Sequence, residues 1–334
     1  MAIDLLANGC AVRPATLDDA PDMLALYHAV SLHLVGRIEE SLENVLHEMG
    51  ARYTTLERDT RLIHDANGRL LALGWVNFRL PQDVGLDVHV HQDVWTTDSV
   101  IMPYLLDWAQ TRALDALNCV PEHERVTLTA WRFAQDQWHR GHFESIGLQP
   151  IRSLYQMGID FDGLVAPAPF PEDVTVRVVT RDEDWRRVYD ARREAWHDMW
   201  GYIPRTYEED YADWLEYWKH NFHDDYWFIA EKDGTVIGVC LCEPSFNGAD
   251  DVGYIATVGV RRAHRKQGLG LALLRHALGA LQVYGKRAAA LHVDASSLTG
   301  AVALYERAGM HVKQRYDRMQ KDLRAGVDQR IQPL

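Results

Sequence analysis

The stretch from residue 254 to residue 281 constrains this chain more than any other. Residues 254–260 (YIATVGV) are apolar and β-branched over the length of a strand. A basic segment follows, then Gly268 and Gly270, and then leucines at helical spacing. The first N–H groups of a helix have no intrahelical partner, and the helix dipole adds positive charge there. A strand, a glycine turn and a helix in this order therefore predict a site for a phosphate-bearing ligand.

Spacing excludes two common kinds of glycine–phosphate loop. The dinucleotide fingerprint requires a third glycine, but Leu273 occupies that position, and no carboxylate follows between Gly270 and Leu291. The phosphate loop of nucleotide hydrolases requires G-x-x-x-x-G-K-[ST], which this sequence lacks.

Two motifs instead resemble those of the GCN5-related N-acetyltransferase (GNAT) family. Residues 265–270 (RKQGLG) match its acetyl-CoA signature, [QR]-x-x-G-x-[GA], at every fixed position. Residues 291–294 are typical of a strand, 295–299 of a turn, and 301–310 (AVALYERAGM) resemble the family's A-x-x-L-Y-x-x-x-G-[FM] helix. The resemblance implies acetyl-CoA as acyl donor and no metal.

Composition narrows the possible partners. A net charge of −13 argues against a general nucleic-acid surface, so we interpret the basic segment 261–266 as a contact for the CoA phosphates. No apolar run approaches the roughly 18–20 residues that span a bilayer, and the N-terminus does not resemble a signal peptide. The four cysteines form no metal pattern, and we expect a reduced, cytoplasmic protein. The sequence leaves the oligomeric state open.

The same order of elements occurs twice. Residues 176–183 repeat the pattern of 12–19, and the hairpin at 227–239 repeats that at 61–76, with turns at Asp233-Gly234 and Asn67-Gly68. A proline-rich stretch separates the repeats. We predict an α/β (α+β) fold of two tandem GNAT domains, each a mixed, mostly antiparallel sheet flanked by helices. The predicted boundaries are 1–166 for the first domain, 167–172 for the linker and 173–334 for the second.

The first repeat lacks the family's donor-site residues. Aligned on the strand end, Asp98 and Val100 stand where Gly268 and Gly270 stand in the second repeat. An aspartate repels phosphate, and a branched side chain hinders close approach of the backbone. Phe143 also replaces Tyr305. We therefore interpret the first domain as degenerate, with a structural or substrate-shaping role, and assign activity to the second.

Amide formation requires a proton donor for the leaving thiolate and a hydrogen-bond donor for the oxyanion, and the resemblance implies which residues supply them. Tyr305 would protonate the departing CoA thiolate, and a backbone N–H of Gly259 or Val260 would stabilise the oxyanion. Ser297 replaces the family's usual asparagine before the last helix. The expected cofactor-binding residues are Val258, Gly259, Val260, Arg265, Lys266, Gln267, Gly268, Leu269, Gly270, Leu271, Ala272, Ser297, Ala301 and Tyr305.

The general base has several candidates. Glu243 follows one predicted strand, Asp294 ends another, and Asp251 precedes the central strand, which itself carries no carboxylate. Glu243 and Asp294 are the two that we retain as catalytic candidates. A base acting through water, or no dedicated base, stays open.

The acceptor site is expected in the aromatic-rich segment 192–228. Tyr207, Tyr211, Trp214 and Trp218 recur at helical spacing and are interpreted as core. Asp198 and Trp200 lie outside that stripe, and with Tyr254 they are our candidate substrate residues, since an acidic and aromatic lining suits an amine.

The sequence thus predicts an acetyl-CoA-dependent N-acetyltransferase acting on the amino group of a small molecule, by direct attack of the amine on the thioester. The two-domain layout resembles that of the mycothiol synthases within the family, which act on a cysteinyl amine. Acetylation of a protein N-terminus or lysine is a second enzymatic interpretation. The alternative from another class is a CoA-thioester-binding sensor or assembly module without turnover.

Overall fold

The computed structural model describes residues 9–97, 99–197, 199–297 and 300–330, which fall into two compact units. The first unit runs to Ser153 and includes Tyr316–Gln329, whereas the second comprises Leu154–Arg315 and resumes at Arg330. The predicted linker, 167–172, lies in the second unit, in a connection without helix or strand. Whether the units are separate domains with the boundaries given above stays a prediction.

Strands and helices alternate along both units. The strands in chain order are β1 (Ala11–Arg13), β2 (Thr60–His64), β3 (Leu70–Asn77), β4 (Asp83–Val90), β5 (Val126–Phe133), β6 (Gln149–Asp160), β7 (Thr175–Val178), β8 (Trp227–Lys232), β9 (Thr235–Glu243), β10 (Val252–Val260), β11 (Ala288–Asp294) and β12 (His311–Arg324). The helices are α1 (Ala20–Val35), α2 (Leu42–Met49), α3 (Leu56–Asp59), α4 (Ile101–Ala113), α5 (Gln137–Ser145), α6 (Arg181–Trp196), α7 (Tyr207–Asn221), α8 (Leu269–Val283) and α9 (Ala301–Arg307). Within the described ranges, no helix is both long enough and apolar enough to cross a membrane.

Each unit contains a mixed, mostly antiparallel sheet, as predicted. In the first unit the order is β1-β2-β3-β4-β5, followed by β12 from Tyr316 onward. In the second unit the order is β7-β8-β9-β10-β11, followed by β6 from Leu154 onward. The parallel pairs are β4 with β5 and β10 with β11.

Each sheet is covered by helices on both faces. In the first unit, α4 packs on one face through Met102 and Leu105, and α1 packs on the other through Met23 and Leu26. In the second unit, leucines of α8 cover one face, and α6 with α7 cover the other. The predicted aromatic stripe of α7 is core, since Trp214 and Trp218 are buried there with Tyr207 and Tyr211 beside them.

The predicted hairpin turns are present, and their backbone explains the residues. Asp233 and Gly234 both have positive φ, 49° and 73°, as a two-residue turn of type I′ requires. Gly68 has φ of 82° in the turn between β2 and β3.

The two central strands separate in each unit. β10 pairs with β11 only as far as Tyr254↔Ala290, although both strands continue beyond this pair. β4 pairs with β5 only as far as Leu86↔Ala130. Each separation opens a cleft beside the central strand.

Candidate active site

The candidate site of the second unit lies along β10 beyond its separation from β11. Between Ile255 and Thr257 the register against β9 shifts by one residue, so Ala256 forms a β-bulge. Tyr254 is the last residue of β10 that pairs with β11. Beyond it, the edge of β10 on the β11 side makes no ladder pairs with that strand. An extended ligand could pair with backbone groups on this edge, as an added strand would. The predicted pantetheine contacts Val258, Gly259 and Val260 lie on this part of β10.

Gly268 and Gly270 are required for different reasons. Gly268 is the N-cap of α8 and has a left-handed φ of 85°, which glycine adopts without strain. A Cβ on Gly270 would lie 3.2 Å from Leu304 Cδ1, so this glycine lets α8 approach α9 closely.

The start of α8 presents unpaired donors. The first intrahelical bond runs from Ala272 N–H to the Gly268 carbonyl, at 3.1 Å. Within the described residues, the N–H groups of Leu269, Gly270 and Leu271 precede it without a hydrogen-bond partner. The side chain of Leu269 is buried in the core. Leu269 can therefore contact a ligand only through its backbone N–H. The three N–H groups together suit a phosphate at the helix N-terminus.

The basic segment before α8 divides into two groups. Arg261 pairs with Glu194 at 2.6 Å, and Arg265 donates from Nε to the Val260 carbonyl at 3.0 Å. These guanidinium groups hold the loop against α6 and β10. Lys266 and Gln267 are exposed beside Gly268, where their side chains can reach a phosphate.

Tyr305 lies on α9 in the core of the second unit and is 9% exposed. Burial raises its pKa well above the ordinary value, and the nearby Cys240 thiol raises it further. With its pKa raised in this way, the Tyr305 hydroxyl stays protonated near neutral pH and can act as a donor.

Tyr254 lies at the centre of a polar and aromatic cluster. Its register partner on β9 is Glu243, to whose Oε1 the Tyr217 hydroxyl donates at 3.4 Å. Across the separation of the strands, Tyr254 Oη lies 3.1 Å from His292 Nδ1. Burial raises the pKa of Tyr254, and Glu243, Tyr217 and Tyr305 are close enough to raise it further. The surroundings of Tyr254 thus include Glu243 as its register partner, and Tyr305 is near enough to affect the pKa of Tyr254.

The other acidic candidates have structural partners. Asp294 Oδ1 accepts from Ser296 N–H at 2.9 Å, and its carbonyl accepts from Ser297 N–H at 3.0 Å, so Asp294 stabilises the turn before α9. Ala301 begins that helix. Asp251, three residues before Tyr254, forms an ion pair with Arg287. This ion pair lies at the closed end of the β10–β11 pair. Among the described residues, no cluster of His, Cys, Asp and Glu side chains could hold a metal ion.

The predicted acceptor residues are only partly described. Asp198 lies outside the described residues. Trp200 follows α6, and the Arg330 guanidinium carbon lies 5.9 Å from its ring centroid. Tyr254 is the predicted substrate residue that lies in the site.

In the corresponding cleft of the first unit, a side chain occupies the backbone edge of β4. Asp98 lies outside the described residues, but Val100 is the N-cap of α4 with an ordinary helical φ of −86°. Arg132, 6% exposed, donates from Nη2 to the Val88 carbonyl, and its Cζ lies 5.2 Å from the Phe143 ring centroid. Aligned on the strand ends, Val88 corresponds to Val258, so Arg132 occupies the backbone edge that a pantetheine arm would need.

Three neighbours of Tyr254 were not predicted as site residues from the sequence. His292 and Phe246 surround its ring, with Phe246 stacked at 5.0 Å, and Tyr217 bonds to Glu243. One signal for His292 was available, since it lies two residues before Asp294 on the same strand face.

The fold and site together define the class, and comparisons with known proteins agree. Residues 185–310 match the acetyltransferase (GNAT) family, and the chain contains a GNAT domain there. A GCN5-related N-acetyltransferase from Sphaerobacter thermophilus is 28% identical, with a TM-score of 0.82 over 96% of this chain and 98% of that one. A tandem GNAT protein from the clavulanic acid biosynthesis pathway, 16% identical, has a TM-score of 0.72 over 95% of this chain and 100% of that one. The predicted tandem GNAT fold and the GNAT domain in the second half of the chain are thereby confirmed.

The curated proteins with similar sequences are named mycothiol acetyltransferases. The mycothiol acetyltransferase of Amycolatopsis mediterranei (strain U-32) is 31% identical over 201 residues, which are 58% of this chain and 65% of that protein. That of Streptomyces scabiei (strain 87.22) is 31% identical over 187 residues, 54% of this chain and 58% of that protein. The matched regions thus span less than two thirds of these curated relatives.

Proposed function

We propose that this protein transfers the acetyl group of acetyl-CoA to the amino group of a small molecule, in the second unit. The observation that carries the proposal is the contrast between the two clefts. Beside β10 the strand edge, the glycine pair and Tyr305 are available together. Beside β4 the side chain of Arg132 occupies the strand edge.

The chain's own groups supply binding. The N–H groups of residues 269–271 and the exposed Lys266 would bind the CoA pyrophosphate. The edge of β10 at Val258 and Gly259, beyond its pairs with β11, would pair with pantetheine, and the N–H of Gly259 or Val260 would stabilise the developing oxyanion.

The reaction joins the amine nitrogen to the thioester carbonyl carbon, and the carbon–sulfur bond breaks. The amine must lose a proton, and we assign that role to Glu243, because it is the register partner of Tyr254 and lies in the same cluster. Asp294 is the weaker candidate because its carboxylate already accepts a backbone N–H. Tyr305 gives a proton or hydrogen bond to the departing thiolate, which its raised pKa permits by keeping the hydroxyl protonated.

The acceptor class follows from the cluster and the relatives. Tyr254, Phe246 and Tyr217 give an aromatic wall beside the Glu243 carboxylate, which suits an amine. Because the curated relatives are named mycothiol acetyltransferases, amines related to mycothiol are the first acceptors to test.

The test combines acetyl-CoA binding with release of free CoA thiol in the presence of an amine panel. Tyr305→Phe should keep acetyl-CoA affinity within about 3-fold and lower turnover about 100-fold or more. Tyr284→Phe, at the exposed end of α8, is the matched control and should retain turnover.

Unchanged turnover in Tyr305→Phe would refute the role of this hydroxyl. Acetyl-CoA binding with no transfer to any amine would instead favour a sensor without catalysis.

A further inference from the structure

The first unit contains a cavity of about 360 Å³ that the proposed reaction does not use. It lies where β4 separates from β5, with walls from α1, α2 and the sheet. Since Arg132 already takes the Val88 carbonyl there, the cavity is not arranged for a thioester arm. Its lining indicates a different ligand.

Four carboxylates on the lining, set against one arginine (Arg132), give it an excess of negative charge: Glu39, Glu40, Glu48 and Asp87. Within the described part of the chain, the ion pairs at the cavity are Arg37–Glu39 and those that Asp87 makes with His89 and Arg132, at 2.9 and 3.8 Å. Glu40 and Glu48 take part in none of them.

The carboxylates also influence one another. Burial raises the pKa of Glu40, and the nearby Asp87 and Glu48 raise it further. Burial opposes ionisation of Asp87 too, but His89 and Arg132 hold its pKa well below the ordinary value, so it is charged. A cation among these groups would relieve their mutual repulsion.

A buried donor supplies a second and independent indication. Trp75 lines the cavity, is 5% exposed, and its indole Nε1 has no hydrogen-bond partner among the described residues. Because a buried N–H without a partner is unfavourable, the position favours a ligand with an oxygen acceptor. Tyr27 and Phe133 add aromatic walls, which attract an organic cation.

We propose that this cavity binds an organic amine, as its ammonium ion, that also carries a hydroxyl or ether oxygen. The ammonium group pairs with Glu40 and Glu48, and the oxygen accepts a hydrogen bond from Trp75. Binding occurs without acetyl transfer, because Phe143 replaces the tyrosine and Arg132 occupies the strand edge at Val88. The proposal goes beyond the acetyltransferase activity and does not depend on it.

The probe is tyramine, an amine with a phenol oxygen, titrated calorimetrically against the whole chain without acetyl-CoA. Its neutral counterpart is tyrosol, in which a hydroxyl replaces the ammonium group. Wild type should bind tyramine saturably and tyrosol at least about 10-fold more weakly. Glu40→Gln with Glu48→Gln should weaken tyramine about 10-fold or more, whereas Glu43→Gln, exposed on the same helix as Glu48, should not.

The indole has its own test. Trp75→Phe should weaken tyramine but leave unchanged the affinity for 2-phenylethylamine, which lacks the oxygen.

Equal binding of tyrosol, no saturable binding of tyramine, or full tyramine affinity in the double variant would each overturn the proposal. A wild-type melting temperature and circular dichroism spectrum show that the double variant is folded, and the tyrosol comparison needs no variant. A protein that transfers no acetyl group could still pass this test, so the two proposals fail independently.

Discussion

The hydroxyl of Tyr254 lies 3.1 Å from Nδ1 of His292, and this contact joins β10 to β11 immediately beyond their last paired residues. The pair therefore lies at the closed end of the cleft, beside Glu243. A polar contact at this position fixes the Tyr254 ring and the strand separation together.

We expect His292→Gln to lower kcat/KM for the amine acceptor about 10-fold, because the Tyr254 hydroxyl loses its positioning partner. The KM for acetyl-CoA should stay unchanged, since the helix N-terminus is untouched. Steady-state kinetics with His311→Gln, an exposed histidine of the same unit, gives the control.

Tyr254→Phe removes the same contact from the other side. If the two residues act through it, the double variant should be no worse than either single variant. Additive losses would contradict that coupling.

Gly268→Asp should abolish acetyl-CoA binding. The new carboxylate would lie at the N-terminus of α8 and repel the pyrophosphate, and its Cβ would strain a backbone with φ of 85°. Thermal unfolding with and without acetyl-CoA measures the effect, since a ligand that binds only the folded state raises the melting temperature. Calorimetry should give one acetyl-CoA per chain for wild type and none for this variant.

Gly234→Asp is the matched control. Gly234 has φ of 73°, and an added Cβ at Gly234 or at Gly268 meets no atom within 4 Å. The two substitutions therefore introduce similar backbone strain and the same charge, but Gly234 is distant in sequence from the predicted acetyl-CoA site. It should retain full binding. Two acetyl-CoA molecules per wild-type chain would show that the first unit also binds the donor.

Gly270→Ala should destabilise the second unit by about 1–2 kcal/mol, because the new Cβ would lie 3.2 Å from Leu304 Cδ1. In a Leu304→Ala background the same change should cost less, since the crowding partner is gone. Urea unfolding measures both. Gly279→Ala, on the same helix with open space around it, should instead stabilise by about 0.5–1 kcal/mol.

Local rules explain what could be predicted from the sequence. The turn at Asp233-Gly234, the helix after the glycine turn at Gly268 and the aromatic stripe of α7 depend on a few neighbouring residues, and the structure has them as predicted. Such features are encoded within short stretches of sequence, so they can be predicted without knowledge of the tertiary packing.

The neighbours of Tyr254 required information that the sequence does not express locally. His292 reaches Tyr254 through a parallel pair whose register depends on packing of the intervening helix α8, and Arg132 occupies the strand edge at Val88 only because β4 and β5 separate after Leu86. Which chain segments belong to the first unit is also set by long-range pairing, since β12 pairs with β5 across a long sequence separation. Spacing along the chain cannot specify these registers.

Acid stability of the second unit should depend on Asp184, whose side chain is fully buried. It accepts from Arg177 Nη1 at 2.6 Å, Arg187 Nη1 at 2.8 Å and Thr180 N–H at 2.8 Å. Burial opposes its charge, but the Arg177 hydrogen bond and then the Thr180 N–H hold its pKa below the ordinary value.

A carboxyl whose pKa is lower in the folded state stabilises the fold above its unfolded pKa, about 3.9, and that contribution is lost as pH falls through the folded pKa. Asp184→Asn should therefore cost about 2 kcal/mol at pH 7, because two arginines lose their acceptor. Its unfolding free energy should also fall less steeply than that of wild type between about pH 4 and pH 2. Urea unfolding across this range, with exposed Asp182→Asn as control, measures both effects. An acid dependence equal to that of wild type would assign the pH sensitivity to other carboxylates.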